Sequence, residues 1–124
     1  MLADAHLHLV DLYGRDPGFP ERAAGLSWTG CAASHDEAEF GRSEELRARL
    51  AALGLRTVAS FGVHPQAPAM RDADFLARLA AEGRIAAVGE AGFDFFGDRP
   101  GRVRNAENER EQRVAFEFQL ELAI

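Results

Sequence analysis

A chain of 124 residues with 47% hydrophobic content is enough for one ordinary domain with a modest core and too short for two. A net charge of −6 argues against a surface that binds nucleic acid everywhere by phosphate neutralisation, and the 14 basic residues are all arginine, which removes Schiff-base chemistry and lysine ligands. The single cysteine, Cys31, has no internal disulfide partner. No apolar run of about 18 residues is present for a membrane span, and Asp4 and His6 stand where a signal peptide carries its basic and apolar parts, so a cytoplasmic protein without membrane contact is expected.

In chain order, Leu2 to Leu9 reads as a first strand, apolar except for Asp4, His6 and His8, which are expected to point inward. Side chains on a strand alternate with period two, so His6 and His8 share a face about 6.6 Å apart and both rings can reach one cation. From Asp11 to Gly25, the residues Gly14, Pro17, Gly18, Pro20 and Gly25 predict a loop. Leu26 to Ser34 reads as a second strand, with Cys31 packed in its apolar run. His35 and Asp36 are expected to start the following loop or helix, with a place lining the site as the alternative. Leu46, Leu50 and Leu53 recur at helical spacing up to Gly54, and Ser43 is either an N-cap or an interior interruption.

Leu55 to Val63 is the third predicted strand and closes at Gly62-Val63-His64-Pro65. Asp72 is expected to cap a helix that buries Phe75, Leu76, Leu79 and Ala80 and stops at Gly83. Arg84 to Gly89 reads as a fourth strand, and Glu90 to about Arg104 as a long loop with Pro100 and the basic residues Arg99, Arg102 and Arg104. A last helix from about Asn105 is expected to bury Val114, Ala115, Phe118 and Leu122. Trp28, Phe93, Phe95 and Phe96 are most simply core residues, with base stacking by an exposed Phe96 as the alternative. Repeated strand-to-helix alternation with near-continuous apolar strands predicts a parallel sheet. His6 and His8, His64 and Glu90 then fall at the C-terminal ends of strands, where the active sites of parallel α/β folds gather.

Four blocks carry a resemblance. They are Asp4-Ala5-His6-Leu7-His8-Leu9, Phe61-Gly62-Val63-His64-Pro65, Ala87-Val88-Gly89-Glu90-Ala91-Gly92-Phe93-Asp94-Phe95, and the segment from Gln112 to Ala123. Together, in this order and spacing, they are similar to the TatD-type metal-dependent hydrolases of the amidohydrolase-like TIM-barrel group, over nearly the whole chain but only the front half of the family. The resemblance implies a partial (β/α) barrel of about four parallel strands, with residues 1–124 forming the N-terminal half of a hydrolase barrel and the chain truncated. It also implies two divalent metal ions, Zn, Mg or Mn, held by His6, His8 and Glu90. The family's two further histidines and late aspartate have no counterpart here.

The chemistry agrees with those residue types. Imidazole and carboxylate suit such metals, and a carboxylate at Glu90 can bridge two of them where related amidohydrolases use a modified lysine that this chain lacks. The implied activity is cleavage of ester bonds, as a deoxyribonuclease acting on DNA phosphodiesters through metal-activated hydroxide. Glu90 is the catalytic residue in this reading. His64 either caps its strand or touches the substrate phosphate; Asp94 either supports the site or caps a structured loop, and both are assigned to substrate binding. Arg99, Arg102 and Arg104 are more simply solvated than phosphate-binding. Plainer readings remain: histidines satisfied by hydrogen bonds at a strand end, an inactive half-barrel that binds metal or a partner, or a hydrolase of another ester such as aminoacylated tRNA. An open half-barrel exposes sheet edges and an apolar inner face, so self-association to cover it is expected.

Overall fold

A computed structural model describes residues 2–96 and 103–124. Four strands, β1 (Leu2–Leu7), β2 (Trp28–Ser34), β3 (Arg56–Phe61) and β4 (Ala87–Val88), pair in parallel in sequence order as a curled half-barrel. The helices are α1 (Leu9–Arg15), α2 (Phe19–Ala23), α3 (Glu37–Ala52), α4 (Ala73–Ala81) and α5 (Ala106–Ala123), with a 3₁₀ turn at Met70–Asp72. The predicted partial (β/α) architecture is observed. Among the described residues no helix is long and apolar enough to cross a membrane.

Several boundaries differ from the sequence expectation. The first strand stops at Leu7, and Leu9 begins α1 instead of ending β1. The expected loop from Asp11 to Gly25 holds most of α1 and all of α2. Helix α1 tolerates Gly14 because Leu9 is buried and the half-buried Leu12 packs against it, and α2 accepts Pro20 in its first turn, where a proline costs no hydrogen bond. Helix α3 begins at Glu37, with the Asp36 side chain accepting from Glu39 N at 2.8 Å, so Ser43 is neither a cap nor an interruption but a buried interior residue. Asp72 occupies the N-cap position of α4 without a capping bond, because its carboxylate takes Arg71 Nε at 3.1 Å. The fourth strand is only two residues long, where Ser60 and Phe61 face Ala87 and Val88.

The sheet register explains which residues meet the helices. Ala32 sits beside Ala59 and Phe61 beside Val88, all turned to the helix layer, so Cys31, Ala33, Val58, Ser60 and Ala87 form the inner face. Behind β3 lies a core of Phe40, Phe61, Val63, Leu76 and Leu79, where the rings of Phe40, Phe61 and Phe75 meet edge-on at 5.2–5.8 Å. A second cluster behind β1 and β2 joins Leu7, Leu9, Leu50 and Leu55, and Trp28 packs on it with Phe19 at 5.6 Å. Helix α3 serves both clusters, through Phe40 near its start and Leu50 near its end. It stops at Gly54, whose φ of 82° is a conformation that favours glycine.

Three packing expectations are corrected. Val114 is exposed, since α5 turns Asn108, Gln112, Ala115 and Gln119 inward, while Phe118 and Leu122 pack partly buried at the edge of the core. Phe93 and Phe96 are exposed, Phe96 at 82%, because β4 ends before them; Phe93 meets α5 only at the surface, through Phe116 at 5.7 Å. Asp4 pairs with Gly30 on the helix side of the sheet and does not point inward. Arg99, Arg102 and Pro100 lie outside the described residues. Arg104 is exposed, stacked over Phe95 and 3.8 Å from Glu109.

Candidate metal centre

The register of β1 shifts between Asp4 and Leu7: three steps along β1 match two along β2, from Gly30 to Ala32. Leu7 therefore returns to the helix side, and its neighbours His6 and His8 face the barrel interior. Asp4 Oδ1 accepts from His6 N at 3.0 Å and takes up a donor that the irregularity would otherwise leave unpaired. The two rings lie edge-on with their Nε2 atoms 3.1 Å apart.

Glu90 arrives from the end of β4. Its Oε2 lies 3.4 Å from His6 Nε2, and its Oε1 lies 3.2 Å from His64 Nε2. The approach depends on Gly62: a Cβ there would lie 2.6 Å from the Gly89 carbonyl carbon and 2.7 Å from both Glu90 N and the Gln119 side-chain oxygen. Backbone atoms cannot give way at that distance, so β3 and the β4 end close together only around a glycine.

His64 is held by two opposed contacts. Its Nδ1 accepts from Gln66 N at 3.0 Å, which puts the proton of the neutral ring on Nε2, facing Glu90. Burial lowers its pKa, against an opposing pull from the Glu90 carboxylate, and the neighbouring His35 adds to the lowering. A neutral His64 that donates to Glu90 therefore orients the carboxylate without competing with a cation for charge.

The loops are clasped from behind by α5. Gln119 Oε1 accepts from Val63 N at 2.8 Å and its Nε2 donates to Val63 O at 3.1 Å, which fixes the residue before His64. Gln112 does the same for Asp94, accepting from its N at 2.8 Å and donating to its O at 2.9 Å. The Asp94 carboxylate accepts from Phe96 N at 2.8 Å and from the Gln66 side chain, so it ties the β4 loop to the His64 loop. His6, His8 and Glu90 thus converge as expected, with His64 against Glu90; Asp94 stands behind them, joined through Gln66.

Gln66, Gln112, Gln119 and Gly62 did not emerge as site-forming residues from sequence reasoning. The available signals were the place of Gly62, Gln112 and Gln119 in the blocks that carry the resemblance and the spacing of Gln112, Ala115 and Gln119 on one face of α5. His35, at the end of β2, also comes to the site, its ring centroid 5.6 Å from that of His64.

The donor set fits one divalent cation. One ligand atom from each of His6, His8 and Glu90 lies within 4.8 Å of the others. Donors about 2.1 Å from a shared ion sit roughly 3.4 Å apart in a tetrahedral arrangement, close to the 3.1 and 3.4 Å seen here. Two imidazoles and a carboxylate suit zinc, manganese and magnesium to differing degrees.

The chain matches the family described as TatD related DNase over residues 3–124. It is 35% identical over 129 aligned positions to a protein of Mycobacterium tuberculosis (strain ATCC 25618 / H37Rv) named uncharacterized metal-dependent hydrolase TatD. That alignment covers 98% of this chain and 47% of the relative, so the chain spans about half the length of the curated relative it matches. With a family match that runs across residues 3–124, the chain belongs to the TatD related DNase family.

Proposed function

We propose that the chain carries the His6, His8 and Glu90 part of a TatD-type hydrolase site that cleaves phosphodiester bonds of DNA in the cytoplasm. The observation that carries this reading is the convergence of two imidazole nitrogens and a carboxylate from β1 and β4 at ligand spacing. A bound divalent cation would lower the pKa of water and neutralise charge on a phosphate oxygen. His6 and His8 would hold the cation, and Glu90 would complete its shell through Oε2, with Oε1 accepting from His64 Nε2. His64 steadies Glu90 through Nε2 and stands on the side from which a substrate phosphate approaches. Asp94 acts through Gln66 to keep the two loops in register.

The experiment is a metal and activity measurement on the purified chain with zinc, manganese or magnesium. We expect metal to bind, DNA to be cleaved, and His6→Ala or Glu90→Gln to lower metal affinity by about a hundredfold or more. Cleavage of small esters or aminoacylated tRNA with DNA left intact would move the substrate. An absence of bound metal in the folded chain would overturn the reading.

A second reading, a half-barrel that binds metal and pairs with another copy without turnover, is favoured by one observation. The inner face is uncovered in part, with Val58 at 46% exposure and Ala3 and Ala87 exposed, while Ala33 and Ser60 are buried. Bound metal without hydrolysis, in a species that sediments as a dimer, would support it.

A further inference from the structure

Three phenylalanines follow β4 in one loop, and they meet different surroundings. Phe93 and Phe95 lie 6.2 Å apart, and Phe93 rests on Phe116 of α5 at 5.7 Å. Each also carries a guanidinium, Arg113 over Phe93 and Arg104 over Phe95, and both arginines reach the Glu109 carboxylate, at 3.4 and 3.8 Å. Phe96 is 82% exposed, and among the described residues no ring or guanidinium meets it. Its backbone, by contrast, is fixed. Asp94 Oδ1 accepts from Phe96 N at 2.8 Å, and the other Asp94 oxygen accepts from the Gln66 side chain. Gln66 N in turn donates to His64 Nδ1 at 3.0 Å, and His64 Nε2 meets Glu90 at 3.2 Å. Gln112 holds both N and O of Asp94 from behind. The chain of hydrogen bonds that steadies Glu90 therefore ends at the root of Phe96.

We propose that Phe96 is a stacking platform for one nucleobase of the substrate strand, beside the phosphate at the metal centre. A lone exposed apolar side chain is ordinary on a protein surface; this one is tied at its backbone to a centre that acts on nucleotides. A chain of net charge −6 gains little from neutralising phosphates, and Arg104 and Arg113 are already shared with Glu109, so uncharged contacts are the ones that add affinity for a strand. Phenylalanine has two side-chain torsions to order, and every base has a flat face, so such a platform holds a strand at small entropic cost without reading its sequence. The platform rests on the phosphodiester reading above and deepens it: it favours nucleic-acid strands over phosphodiesters and esters that carry no base.

The test uses the whole chain without metal, so that nothing is cleaved, and a short fluorescent oligothymidylate as probe, with binding read by anisotropy. We expect about tenfold weaker binding in Phe96→Ala, and the same loss in Phe96→Leu, which keeps apolar bulk without a flat face. Phe96→Tyr should restore binding, and an oligonucleotide with abasic positions should bind wild type and Phe96→Ala alike. Stacking releases no counterions, so the ratio between wild type and Phe96→Ala should hold from about 50 to about 200 mM salt. Equal affinity in wild type and Phe96→Ala, no binding of the oligothymidylate at all, or a ratio that vanishes at the higher salt would overturn the platform. So would a change of sedimentation in Phe96→Ala with affinity untouched, which would give the ring to a contact between copies. Phe96-dependent binding in a chain that cleaves no DNA when metal is supplied would keep the platform and remove the nuclease reading. DNA cleavage with a KM untouched by Phe96→Ala would do the reverse.

Discussion

Helices α4 and α5 pack on the same core and bury opposite chemistry. The α4 face is Ala73, Leu76 and Leu79, whereas α5 buries Asn108, Gln112 and Gln119 around a single Ala115. Burial of a leucine stabilises through area removed from water and carries no directional information. A buried glutamine gains little net free energy but demands partners at fixed positions, and here those partners are the backbones of Val63 and Asp94. The fold rests on α4, and the placement of the site rests on α5.

This division can be broken from either side. Leu79→Ala should have the largest effect on stability, a loss of about 2–5 kcal/mol in denaturant unfolding, because a fully buried side chain leaves a cavity; metal bound per folded molecule should stay the same. Gln119→Leu keeps the volume and leaves the buried N–H and C=O of Val63 without their partner, for about 2–3 kcal/mol. Unlike the α4 variant, it should also reduce metal affinity by roughly ten- to a hundredfold, because His64 no longer holds Glu90 in place. Equal metal affinity in the two variants would dissolve the distinction.

The smallest effect is a pH dependence. His64 is depressed in the folded chain by burial, so the unfolded state takes up its proton first as pH falls. Its contribution is therefore fully present above the ordinary histidine pKa and lost on acidification toward the folded value. Between pH about 7.5 and about 5.5, the metal-free chain should lose stability, and His64→Asn should flatten that slope. An unchanged slope would mean that other groups set it.

Much of this organisation is readable from residues. His6, Leu7 and His8 announce themselves because neighbours two apart in an extended segment share a face, a local rule that holds for this pair although the register shift puts Asp4 on the other side. Glu90 and His64 are legible because turn residues mark the strand ends, and parallel strands put those ends on one side. Helices α1 and α2 escape notice because glycine and proline read as breakers, whereas each falls where the helix tolerates it. The roles of Gln112 and Gln119 are hidden for another reason: polar residues on a helix read as solvated, and only the folded chain brings the Val63 and Asp94 backbones to them. Gly62 likewise looks like an ordinary strand-end glycine until the Glu90 backbone is seen against it.

The register shift in β1 has a consequence for how this protein can vary. The direction of His6 and His8 is counted from Leu7, which the core behind β2 anchors. Upstream of the shift, Leu2 to Asp4 are out of phase with the site. The irregularity acts as insulation: apart from Asp4, whose carboxylate holds His6 N, the N-terminal residues can be exchanged without turning His6 and His8, while an insertion between Leu7 and Leu9 would displace His8 at once.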